Sequence, residues 1–136
     1  MGLTEIIVKK ISKPTGILCR FMASVMNYAH KVAGWGLRHL SIHKNDIILD
    51  VSCSRGKTIK TMVKIATEGK VYGIDYSKTS VAVASKANKK LIKADKVEIL
   101  YTSVESIPFP KTFFDLVTAI ESYYFWPDLT ANLKEI

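Results

Sequence analysis

The sequence predicts an α/β fold built on a doubly wound parallel sheet, and three observations predict it. Compact apolar, β-branched runs of strand length recur along the chain. Segments with apolar residues at helical spacing separate them, as parallel crossovers require. Small or acidic residues stand just after each run, where the strands of an open α/β sheet present their carboxyl ends to a ligand.

The elements follow in order. Residues 6–11 form a short apolar and basic stretch that ends at Ser12-Lys13-Pro14, and proline there restricts its predecessor and can open a helix. Ile17, Phe21, Val25 and Tyr28, joined by Leu18, Met22 and Met26, give an amphipathic helix to about Val32. Gly34 and Gly36 are expected to interrupt it, with Trp35, Leu37 and Leu40 on a second short helical piece. Residues 46–51 read as strand one. After a Ser-Cys-Ser-Arg-Gly turn, Ile59, Met62, Val63 and Ile65 mark a helix that stops near Gly69. Residues 71–75 are strand two. Ser77 or Ser80 caps a helix carrying Val81, Val83, Ala84, Ala87 and Leu91. Residues 96–101 make strand three, Pro108 and Pro110 mark a loop, residues 114–120 make strand four, and a further helix begins at Leu129. Four strands in the order 3-2-1-4 are expected, with N-terminal helices: residues 1–41 as a helical cap and 42–136 as the sheet domain.

Composition narrows the class. With 136 residues, 48% of them hydrophobic, the chain has material for one core. Cys19 and Cys53 match no zinc or redox spacing and give no sign of a secreted disulfide scaffold, so reduced thiols and a cytoplasmic location are expected. No secretion signal is evident, and the apolar stretch 16–35 contains Arg20, His30 and Lys31, so no transmembrane segment is expected. The formal net charge is +8, and seven Lys/Arg in the first 45 residues face only Glu5. This bias suits a solvated surface and is the only feature that hints at nucleic acid, so no nucleic-acid partner is expected.

The chemistry-bearing residues lie after the strands. Asp50-Val51-Ser52-Cys53-Ser54-Arg55-Gly56-Lys57-Thr58 is a tight turn of small residues leading into a helix N-terminus, where free N–H groups favour negative charge. It lacks the Gly-x-x-x-x-Gly-Lys-Ser/Thr spacing of a phosphate loop. Asp75 closes strand two, where a carboxylate can accept hydrogen bonds from both hydroxyls of a ribose. His30 has no visible partner for acid–base work, and Tyr123, Tyr124 and Trp126 suit helix packing, so no catalytic residue is assigned.

At these residues the chain resembles the class I S-adenosylmethionine-dependent methyltransferases. The family pattern is a strand ending in an acid, Gly-x-Gly-x-Gly, and an acid closing strand two; Asp50, Gly56 and Asp75 supply it here. A third segment, Thr102-Ser103-Val104-Glu105-Ser106-Ile107-Pro108-Phe109-Pro110, is similar to the family's Gly-Asp-Ala followed by Leu-Pro-Phe-Pro. A fourth, Phe114-Asp115-Leu116-Val117, is the family's usual opening of strand four. The resemblance implies a Rossmann-like fold, S-adenosylmethionine as cofactor and a small-molecule methyl acceptor. It also implies site residues. Ser52, Cys53, Ser54 and Gly56 would pass beneath the methionine part near Asp50, and Asp75 would hold the ribose. Tyr76 would flank the adenine, with Ser103 and Val104 along its edge, and Ala119, Ile120 and Glu121 would face the sulfonium. No metal is implied.

The chain also departs from the family. Ser52 and Ser54 replace two loop glycines, and Ser103 replaces the usual adenine-binding Asp. The family sheet has seven strands and this sequence reaches only the fourth, which leaves an unpaired edge on strand four that a partner chain could cover. An inactive, truncated methyltransferase-like interaction module is therefore the alternative function, with a nicotinamide enzyme a weaker third.

Overall fold

The computed structural model describes Tyr28 and residues 31–136. Contacts divide the chain between Trp35 and Gly36, and the sheet belongs to the unit Gly36–Ile136. Most of the expected N-terminal helix, with Met26, Asn27, His30 and Cys19, lies outside the described residues.

Residues 31–39 are helical, running through Gly34 and Gly36 where the sequence predicts an interruption. A helical glycine costs only about 1 kcal/mol relative to alanine, which weakens a helix without ending it.

Four strands follow: β1 (Ile47–Val51), β2 (Lys70–Asp75), β3 (Val97–Tyr101) and β4 (Leu116–Thr118). All pairings are parallel, in the order β3-β2-β1-β4. Helix α1 (Lys57–Ile65) joins β1 to β2, and α2 (Lys78–Ala87) with α3 (Lys89–Lys93) joins β2 to β3. After β4 come a 3-10 turn (Tyr123–Phe125) and α4 (Leu129–Glu135).

Strand alternation splits the core into two layers. Ile48, Val71 and Val97 meet Ile59 and Met62 of α1 and Ala84 of α2 on one face. Leu49, Val51, Tyr72 and Ile74 point to the other, which no crossover helix covers. There the β3–β4 connection supplies Phe109, Phe113 and Phe114, whose rings lie 5.0–5.6 Å from that of Tyr72, mostly edge to face. The proline-marked loop is thus the second layer. The chain moves outward from β1 to β3 over one face and returns to β4 over the other, so its direction reverses between β1 and β4. That reversal creates the crevice where ligands bind in such sheets.

Two elements differ from expectation. Strand four has three residues instead of seven. Phe113 and Phe114 are held in the aromatic layer, and Asp115 closes the strand's start with reciprocal bonds to Ile47: its Oδ2 accepts from Ile47 N–H and its own N–H donates to Ile47 O, both at 2.8 Å. At the other end, Thr118 pairs with Asp50, and β1 turns away two residues later. The helix after β2 is also broken, at Asn88, whose buried side chain donates to Ala84 O (2.9 Å) and to Gly56 O (3.1 Å).

The α1–β2 connection is tight enough to require glycine. A Cβ at Gly69 would overlap the carbonyl of Asp46, and that carbonyl is committed to Lys70 N–H. Gly69→Ala is expected to cost roughly 2 kcal/mol of stability, as overpacking against fixed backbone does, measured by urea unfolding.

Candidate functional site

The turn after β1 adopts an alternating conformation: Ser52 has φ 59°, Ser54 φ 49° and Gly56 φ 70°. These are the three positions where the family pattern places glycine. The reason is steric, since positive φ is freely adopted only without a Cβ, and the two serines hold it under strain. Ser54→Gly is expected to raise stability by up to about 1 kcal/mol, and Ser52→Gly likewise, measured as an increase in urea midpoint at unchanged slope. Gly56 cannot change in the opposite direction, because a Cβ there would strike the Asn88 amide and crowd Ala84 of α2.

Backbone bonds fix the turn to the sheet. Cys53 N–H donates to Ile74 O (3.0 Å) and Gly56 N–H to Cys53 O (2.9 Å). Ser54 N–H donates to Asp75 Oδ2 and Ser77 N–H to Asp75 Oδ1, each at 2.9 Å. Asp75 thereby ties the loop after β1 to the N-terminus of α2, where Ser77 is the cap and accepts from Ser80 N–H.

Asp50 lies beneath the turn and is only 2% exposed. Its Oδ2 accepts from the Thr58 hydroxyl (2.6 Å) and its Oδ1 from the Thr118 hydroxyl (2.8 Å), so one carboxyl joins β1, α1 and β4. Burial pushes its pKa up to about 6; the two hydroxyls oppose that rise and the charge of Asp75 adds to it. Cys53 is buried as well, and burial followed by the charges of Asp50 and Asp75 raises its thiol far above the ordinary range. It stays protonated and is no nucleophile.

The remaining expected residues line the same sheet edge with different accessibility. Tyr76 is 68% exposed beside Asp75. Ser103 is half-buried; its hydroxyl accepts from Glu105 N–H and contacts Glu105 Oε2, both at 3.2 Å. Val104 packs into the core with Leu49, Val51, Tyr72 and Ile74. Ala119 and Ile120 are half-buried after β4, and each packs against one of the two core layers. Glu121 has φ 54° and is exposed, and its Oε2 accepts from the Tyr124 hydroxyl (2.8 Å). Partial burial, then this bond, raises the Tyr124 pKa. Tyr123 and Phe125 are exposed, while Trp126 packs partly against the aromatic layer.

The sequence reading missed three residues that hold the site together: Thr58, Thr118 and Asn88. Thr118 stands opposite Asp50 in the strand register, so a correct register would have found it. Thr58 lies in the first turn of α1, eight residues from its partner. Asn88 carried a weak local signal, since asparagine is a common helix-ending residue and it is the C-cap of α2. Among the described residues no group of three His, Cys, Asp or Glu could hold a metal ion, and no helix is long and apolar enough to cross a membrane.

A parallel sheet with a strained small-residue turn after β1 and a carboxylate after β2 is the architecture of nucleotide-cofactor-binding α/β proteins. A family model described as a methyltransferase domain matches residues 49–136, and the chain belongs to that family, the class I S-adenosylmethionine-dependent methyltransferases. It is 29% identical to the uncharacterized methyltransferase YdaC of Bacillus subtilis (strain 168) over 75% of this chain and 54% of that protein. It is 31% identical to the demethylmenaquinone methyltransferase of Geobacillus sp. (strain WCH70) over 74% of this chain and 43% of that one. The solved structure of a SAM-dependent methyltransferase from Aquifex aeolicus superposes with a TM-score of 0.68 at 23% identity, covering 76% of this chain and 55% of its own. The chain spans about half the length of the curated relatives it matches.

The residues present fit S-adenosylmethionine on the chain's own geometry. Each Asp75 oxygen receives one backbone amide, which leaves lone pairs for two ribose hydroxyls. Tyr76, the next residue along the chain, is exposed. Asp50 is sealed under the turn, so its service is to hold the turn.

Proposed function

We propose that this chain binds S-adenosylmethionine across the carboxyl ends of β1, β2, β3 and β4 and serves methyl transfer to a small-molecule acceptor. The observation that carries the reading is the coupling of the turn to Asp75 through the Ser54 amide. It puts the left-handed turn and the ribose-holding carboxylate in one rigid unit. When bound, the cofactor supplies a sulfonium methyl that a nucleophile of the acceptor can displace. Ser52, Cys53, Ser54 and Gly56 would carry the methionine end over Asp50. Asp75 would fix the ribose, and Tyr76, Ser103 and Val104 the adenine. Ala119, Ile120 and Glu121 would border the reacting methyl. The chain's contribution is orientation and exclusion of water, with no acid or base identified. A small-molecule acceptor accords with the relative named for demethylmenaquinone.

Calorimetric titration with S-adenosylhomocysteine tests this, with NAD as comparator. Saturable binding of S-adenosylhomocysteine that NAD does not displace is expected. A folded chain that binds NAD alone, or neither compound, would overturn the reading.

A second reading, a non-catalytic interaction module, draws on β4. Among the described residues this strand pairs only with β1, so the backbone of Leu116–Thr118 on its outer side is open to a partner strand. Cofactor-independent, stoichiometric association through that edge, abolished by Val117→Pro, would favour it.

A further inference from the structure

The three helices on one face of the sheet carry eight lysines, three on α1, two on α2 and three on α3, and no acidic residue. All eight are exposed. Every Asp and Glu among the described residues lies outside these helices, the nearest being Glu68 and Asp95 in the connections that follow α1 and α3. Along the sequence this is hidden, because Glu68 and Asp75 fall between the helices. The start of α1 and the α2–α3 junction border an open depression of about 500 Å³, its floor mainly apolar, with Lys60, Lys86, Lys89 and Lys90 around it beside Asn88 and Leu91. None of these four lysines forms an ion pair among the described residues.

We infer that this α1–α3 face binds the phosphodiester backbone of a nucleic-acid duplex without reading its bases. Segregated cationic charge is the electrostatic footprint of phosphate recognition. Membrane docking would call for a broad apolar face with aromatic or leucine anchors, whereas each of these helices exposes a single branched residue, Ile65, Val83 or Ile92, none more than half exposed. Single strands are held by base stacking on aromatic rings, and α1, α2 and α3 contain none. What remains is contact to the backbone of a duplex, with lysines as point charges. The face lies on the outer side of the helices and is independent of the cofactor reading.

Fluorescence anisotropy with labelled 20-base-pair RNA and DNA duplexes of two unrelated sequences tests this across a salt series. Duplex binding that is independent of sequence and falls steeply with salt is expected. The double variant Lys60→Glu/Lys89→Glu should weaken it at least tenfold, and the slope of log K against log salt should become shallower by about 2, as loss of two phosphate contacts requires. The control Lys111→Glu/Lys134→Glu changes net charge equally on other elements and should leave the slope unchanged. Equal losses in both variants would reduce the effect to net charge and overturn the inference. So would absence of binding at low salt, or tighter binding to single strands or to phosphatidylglycerol vesicles than to duplex. All four lysines are exposed, and thermal unfolding would verify that the variants remain folded.

Discussion

Replacing Asp75 by alanine is expected to weaken S-adenosylhomocysteine binding by at least about 100-fold. Hydrogen bonds to a charged acceptor contribute roughly 1.5–3 kcal/mol each, and two ribose hydroxyls would lose their acceptor together. The same change strands the Ser54 and Ser77 amides, which now share this carboxylate at 2.9 Å. Asp75→Asn separates the two effects. It keeps one acceptor oxygen and the side chain's volume but presents an amide N–H to one of the two backbone donors. An affinity between those of wild type and alanine is expected for it, with a smaller loss of urea stability. If both variants unfold the chain equally yet bind ligand as the wild type does when folded, Asp75 is a structural tie only.

The second large effect concerns pH. Asp50 has an ordinary value of 3.8 and titrates near 6 in the fold, chiefly because burial disfavours the carboxylate. The sign follows from linkage: the folded state holds this proton more tightly than the unfolded chain. The group's contribution is therefore complete below pH 3.8 and is lost as pH rises through about 6. The difference amounts to about 3 kcal/mol. Asp50→Asn stays neutral throughout, and its oxygen and amide can still meet the Thr58 and Thr118 hydroxyls. Relative to wild type, the variant should gain roughly 2.5 kcal/mol between pH 4 and pH 7.5 in urea unfolding, since part of the difference is already lost at pH 4. A difference independent of pH would show that Asp50 is not the buried titrating group described above.

Much of the fold was legible because strands buried on both faces write themselves as apolar runs. β1, β2 and β3 lie within a residue of their expected limits. β4 was overextended because Phe114, Ala119 and Ile120 are apolar for another reason: they fill the two core layers flanking the sheet. The helix break at Asn88 was missed: asparagine is a helix-ending residue, and here its amide is also held by a contact to Gly56, 32 residues away. Of the candidate site, the turn and Asp75 could be read from spacing, and the left-handed conformations of Ser52 and Ser54 accord with the glycines the family places there. Thr58 and Thr118 could not, because only the sheet register and the α1 approach bring their hydroxyls to Asp50. The basic face is the converse case: a linear count placed the excess in the first 45 residues, while folding gathers lysines from three helices onto one side.

The central claim is that the turn after β1 and the carboxylate after β2 form one cofactor site. Amide chemical shifts of the 15N-labelled chain, followed while S-adenosylhomocysteine is added, test it most directly. Saturable shifts confined to residues 52–56, 75–77, 103–104 and 119–121 are the predicted result. Shifts clustered elsewhere, or none at millimolar ligand with a well-dispersed spectrum, would contradict it.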